Sequence, residues 1–169
     1  MRRLLDFLYD ASAWLAALAM IGVLLMVLLS IASRQLGFHV PGTDAYAGYS
    51  MAAAGFLALA HTLKRNEHIR VTLLLGRLHG RARHALEMWS LSAAVLLAGL
   101  FAFYSVRLAW QSSVLNDIST GNDATPLWIP QIAMALGTVM LLVALVDDWV
   151  LELRGERRTS GNEEALHNE

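Results

Sequence analysis

The side chains in this sequence that could do chemistry are few, and their positions limit what they can do. Its carboxylates are Asp6, Asp10, Asp44, Glu67, Glu87, Asp117, Asp123, Asp147 and Asp148, with the rest on or near the C-terminal tail. Paired carboxylates serve acid/base chemistry or proton relay when they share a low-dielectric site. None of these lies inside the long apolar stretches of the chain, so no paired site within a membrane is expected. The histidines outside the tail are His39, His61, His68, His79 and His84. A membrane haem needs axial ligands facing each other from helices at matching depth. Only His61 falls in an apolar stretch, and no second stretch supplies a partner, so His61 is expected to bond to backbone or water. The chain has no cysteine, which removes thiolate chemistry, cysteine-held metals and disulfides. It shows no glycine-rich phosphate loop, no nucleophile elbow and no metal-ligand spacing. The expectation is a non-enzyme with no catalytic, substrate-binding or metal-binding residue and no cofactor.

The elements that must position these groups are four uncharged apolar stretches: Ala11–Ser33, Ala45–Leu63, Met88–Val106 and Leu127–Val146. Crossing a hydrocarbon layer of ~30 Å takes ~20 helical residues. Of the 169 residues, 56% are hydrophobic and 16% charged, against ~45–50% and ~25% in soluble domains. The predicted class is an all-α integral membrane protein with four transmembrane helices. One membrane domain spans residues 1–154, and residues 155–169 form a polar tail expected to be disordered. The first stretch is expected to stay uncleaved, because its uncharged run is longer than the ~7–15 residues of a signal core.

Basic residues set the expected orientation. Arg2 and Arg3, the loop with Lys64, Arg65, Arg70, Arg77, Arg81 and Arg83, and Arg154, Arg157 and Arg158 fall on one side. Arg34 and Arg107 fall on the other. Positive loops stay cytoplasmic, so both ends of the chain and the second loop are expected inside a bacterial or archaeal cytoplasmic membrane. The tryptophans, Trp14, Trp89, Trp110, Trp128 and Trp149, all fall near span ends, as an interfacial belt requires.

Between spans two and three, Val71, Leu74, Leu75 and Leu78 repeat at i, i+3, i+4, i+7. Arg70, Arg77 and Arg81 flank that face. This predicts an amphipathic interfacial segment, about residues 69–83, that lies on membrane lipids or on a partner. The second span carries small residues at helical spacing, Gly48 with Ala52 and Ala54 with Ala58, beside Gly55. Such pairs let helices approach closely in lipid. Arg34 and Asp44 flank the first hairpin and form a candidate structural pair. Thr43 or Asp44 is expected to cap the second span, and Thr125-Pro126 the fourth, with Pro130 kinking its start. The basic loop lacks the aromatic interleaving of a nucleic-acid surface.

Several segments together resemble the small permease subunit of tripartite ATP-independent periplasmic (TRAP) transporters. They are Ser33-Arg34-Gln35, Val40-Pro41-Gly42-Thr43-Asp44, Gly55-Phe56-Leu57-Ala58-Leu59-Ala60, His68-Ile69-Arg70-Val71-Thr72-Leu73-Leu74 and Ala124-Thr125-Pro126-Leu127-Trp128-Ile129-Pro130. The resemblance covers roughly residues 5–153. Asp44 departs from it, since the family more often has Glu there, and the shorter side chain reduces the reach toward Arg34. The resemblance implies a scaffold subunit bound to a large multi-span permease, with a periplasmic substrate-binding protein delivering an organic acid for ion-coupled uptake, usually with sodium. Two other classes fit the apolar spans alone: a four-helix redox or quinone protein, and a self-sufficient small exporter.

Overall fold

A computed structural model describes residues 2–38, 40–64 and 81–154 of the chain. Among these residues it is all-helical: α1 (Arg2–Leu36), α2 (Thr43–Lys64), α3 (Arg81–Leu115) and α4 (Trp128–Leu153). There is no strand, only an isolated bridge between Ile118 and Pro126 in the α3–α4 loop. The interfacial segment Val71, Leu74, Leu75, Leu78 with Arg70 and Arg77 lies outside the described residues, as does the tail from 155. Arg81 opens α3.

Three helices are long and apolar enough to cross a membrane: Leu5–Leu36, His84–Leu115 and Trp128–Leu153. The 22-residue α2 is not among them. Its alanines, glycines, tyrosines and serine dilute the apolar content that leucine and valine supply elsewhere.

Neighbours in space do not follow the chain. α1 packs on α2, α2 on α4, and α4 on α3. The helices form a row with α1 and α3 at its edges. Most of the buried residues between them are small or hydroxylic, with Leu57 and Leu145 the buried leucines. On α1 the buried positions include Ser12, Ala16 and Ser33. On α3 they are Ala98, Ala102, Ser105 and Ser112, spaced along one face. α4 buries Ala135, Gly137, Thr138 and Ala144. The large apolar side chains point outward instead, among them Leu18, Leu24, Leu25, Leu97, Phe103 and Leu136. A water-soluble domain buries its leucines and phenylalanines. Lipid gives no reason to, and small residues win the helix–helix contacts because they let backbones and short side chains meet. The buried serines satisfy their hydroxyls on their own helix. Ser12 donates to the Tyr9 carbonyl (2.8 Å) and Ser105 to that of Phe101 (2.8 Å).

Two helices approach closely at Gly137. A Cβ there would lie 2.4 Å from the Phe56 carbonyl oxygen, so α2 and α4 touch backbone to backbone. The small residues singled out on α2 divide between two faces. Ala54 is buried and Ala58 half-buried, while Gly48, Ala52 and Gly55 are exposed. A Cβ on Gly48 or Gly55 would meet nothing within 4 Å.

Both helices that run toward the hairpin loops stop in the same way. Gly37 (φ 73°) and Asn116 (φ 53°) take the left-handed conformation just past α1 and α3. The next amides close back on the helix: Phe38 N donates to Ser33 O (3.1 Å) and Asp117 N to Ser112 O (3.0 Å). This closure satisfies carbonyls that the helix end leaves open. The expected N-caps differ from those found. α2 begins at Thr43, and its first helical bond runs from Tyr46 N to the Gly42 carbonyl (3.0 Å), which puts Gly42 in the capping place. α4 begins at Trp128 with Leu127 before it and no side-chain cap. Thr125 is drawn away to Tyr46, and Pro130 falls in the first turn, where its missing N–H costs no helical bond.

Candidate functional site

Every ionisable side chain of the described helices lies toward a helix end, and the polar groups gather at the two ends of the row. One is the terminal end, where α1 and α3 start and α2 and α4 finish. The other is the hairpin end, with the loops at residues 37–42 and 116–127.

At the hairpin end the centre is Asp123. Tyr49 on α2 donates its hydroxyl to Asp123 Oδ2 (3.0 Å), and Ser119 donates to Oδ1 (2.8 Å). The Thr125 hydroxyl stands between this carboxyl and the Tyr46 hydroxyl, 3.1 Å away. Desolvation of Asp123 raises its pKa, but the Thr125, Ser119 and Tyr49 hydroxyls and its own backbone N–H together outweigh it and hold the pKa at about 2. Gly42 permits the contact. Its φ is 81°, and a Cβ there would lie 2.7 Å from Asp123 Cβ. The loop is closed on itself by Ser119 N to Thr125 O (2.8 Å) and Leu127 N to Asp117 O (2.9 Å). Thus the α3–α4 loop is fastened onto the first hairpin.

Beside it, Arg34 Nη2 stands 4.0 Å from Asp44 Oδ2, with side chains 77% and 84% exposed. Ser30 donates to Asp44 Oδ1 (3.3 Å). These three groups line an open cavity of about 470 Å³ with Gly42 and Asn122.

The terminal end is built from charges. Lys64 on α2 pairs with Asp147 on α4, and its Nζ lies 3.4 Å from Asp148 Oδ1. The same ammonium sits 5.4 Å from the centre of the Tyr9 ring on α1. Tyr9 packs with Ala60 and Ala144 beneath it, so three helices meet at one lysine. His61 Nδ1 is 3.7 Å from Asp10 Oδ1. On the α3–α4 side, His84 Nδ1 and Glu152 Oε1 lie 3.0 Å apart, and Trp149 Nε1 donates to Ser92 Oγ (3.0 Å). His84, Glu87 and Glu152 converge, with one ligand atom of each within 4.8 Å of the others.

Sequence reasoning missed the Lys64, Asp147 and Asp148 cluster and the His84, Glu87 and Glu152 group. Their shared end was readable from the span boundaries. That α2 and α4 are neighbours was not.

Chemically, this arrangement joins helices. Long apolar helices, a small-residue interior and ionisable groups confined to helix ends define a helical membrane subunit. The chain belongs to the DctQ family: the profile of "Tripartite ATP-independent periplasmic transporters, DctQ component" matches residues 23–155. It is thus the small permease component of a TRAP transporter, from a family of transporter parts and not of enzymes. A search of curated proteins finds no match to it.

Proposed function

We propose that this chain is the static scaffold of its transporter, anchoring a large permease subunit while that subunit moves an organic acid coupled to an ion, usually sodium. The observation that carries this reading is the distribution of charge. No Asp, Glu, Lys, Arg or His stands in the middle of any described helix, whereas a solute path through lipid is lined by ionisable groups or broken helices. The chain's edge helices α1 and α3 carry unpartnered apolar faces, and the exposed Gly48, Ala52 and Gly55 stripe on α2 offers close approach to a second subunit. We assign α2 as the fourth transmembrane span, shielded by α1 and α4, which explains its tolerance of polar residues. The terminal end faces the cytoplasm, as the basic residues require. The hairpin end then meets the periplasmic binding protein through the assembled complex. The segment around Val71–Leu78 braces the assembly on the inner lipid surface, with Arg70, Arg77 and Arg81 at the headgroups.

Affinity purification from the native membrane in mild detergent, with mass spectrometry of what co-purifies, tests the scaffold. A large multi-span permease in stoichiometric amount is expected. Recovery of this chain alone, under conditions that keep comparable complexes intact, would count against it. The bracing role is tested by Leu74→Asp/Leu75→Asp. Loss of complex or uptake is expected, and normal values of both would refute the brace.

A further inference from the structure

Where α3 starts and α4 finishes, one imidazole and two carboxylates face a common point. His84 and Glu87 are three residues apart on α3, so one helical turn sets them on the same side. Glu152 reaches across from α4. Among the described residues, this is the one place where three histidine or carboxylate groups come within 4.8 Å of one another. Glu152 is the decisive member, because its side chain is only 4% exposed. A carboxylate so far from water needs a cation or a metal beside it. The His61–Asp10 contact has no third ligand among the described residues and an Asp side chain that is 69% exposed.

We propose that His84, Glu87 and Glu152 form a binding site for one divalent transition-metal ion of zinc's class, clipping α3 to α4. The donor set is one nitrogen and two oxygens. Copper(I) would want sulfur, and calcium would want six to eight oxygens. Tetrahedral zinc takes such ligands and leaves its fourth position to water. Bonds of about 2.0–2.2 Å in that geometry set ligand atoms about 3.4 Å apart. The 3.0 Å between His84 Nδ1 and Glu152 Oε1 is already close to that, and Glu87 offers a carboxylate oxygen within 4.8 Å of both. The ion takes the lone pair of an imidazole nitrogen, and any proton held on that nitrogen leaves for solvent. Uptake therefore releases a proton and weakens as pH falls.

The test uses the full chain, purified in detergent and stripped with a chelator. Zn²⁺ is titrated by calorimetry, and Co²⁺ by its visible ligand-field absorption. One equivalent is expected, with Zn²⁺ displacing Co²⁺ and weaker uptake at lower pH. His84→Ala and Glu152→Gln should each weaken Zn²⁺ by about tenfold or more. Glu87→Gln, on a less buried ligand, keeps the test readable if Glu152→Gln does not fold. Zn²⁺ should raise the unfolding temperature of the wild type and not that of Glu87→Gln. The proposal is overturned if the wild type takes up no Zn²⁺. It is equally overturned if folded His84→Ala and Glu87→Gln bind Zn²⁺ as tightly as the wild type, which would place the ion on other histidines.

Discussion

At the hairpin end, Asp123 gathers neutral hydroxyls from a loop and a helix, and glycine backbone lets them close in. At the terminal end, Lys64 stands between two aspartates of another helix and over the ring of a third. The first is a local clasp whose donors are short and whose backbone is specific. The second is a long-range tie whose strength depends on burial: Lys64, Asp147 and Asp148 side chains are 23%, 25% and 12% exposed. Charge fixes helices where they sit beside each other along their length. Hydroxyls and backbone turns fix a loop to a helix end.

This contrast breaks first at Lys64. Lys64→Met removes the ammonium that Asp147 holds in a largely buried setting, and should cost about 3 kcal/mol, read by unfolding in mixed detergent. Adding Asp147→Asn and Asp148→Asn should recover part of that loss. If the single change proves neutral, burial is not what gives the terminal end its strength.

Next in size is Gly42→Ala. It meets both a left-handed φ and the Asp123 Cβ, and should cost about 1–3 kcal/mol. Hydrogen exchange should rise in residues 116–127 and stay unchanged around Lys64. Exchange that rises equally at both ends would mean the clasp and the tie are one unit.

Acid sharpens the difference further. Asp123 has its pKa lowered from the ordinary 3.8 to about 2. A carboxyl depressed in the folded state stabilises above its unfolded value, and that stabilisation is lost as pH falls through the folded value. The loop should therefore loosen between about pH 4 and pH 2. Tyr49→Phe and Ser119→Ala together should move that loosening to higher pH, followed by exchange of the loop amides.

The smallest effect is expected at Arg34. An exposed pair contributes about 0–1 kcal/mol, so Arg34→Ala should shift stability little at ordinary salt and not at all at high salt. A large loss would show that Asp44 depends on the arginine more than on Ser30.

Much of this was legible in the residues. The helical class and three long apolar spans follow from uncharged runs, since charge cannot be left in lipid. Other features needed the neighbours. The Gly48 and Ala52 spacing marks a face that can pack, yet the backbone-to-backbone contact within the chain is at Gly137, because what decides is which helix lies opposite. Likewise Thr125 has the chemistry of an N-cap, and Tyr46, 79 positions away, competes for its hydroxyl. Lys64 and Asp147 share an end in the sequence pattern, but their pairing depends on α4 lying between α2 and α3. His84 and Glu87 are visible as a turn-spaced pair, and only that same crossing delivers Glu152.

The row of helices has one further consequence. A layer one helix thick has almost no deep interior, so each contact lies within a side chain's length of the surrounding solvent. Such a wall transmits a push at one edge to the other chiefly through α2 and α4. Stiffness across the subunit therefore depends on how those two helices are held, by the backbone approach at Gly137 and by the Lys64 tie at their ends, and an added methyl group at Gly137 would strain the first of these.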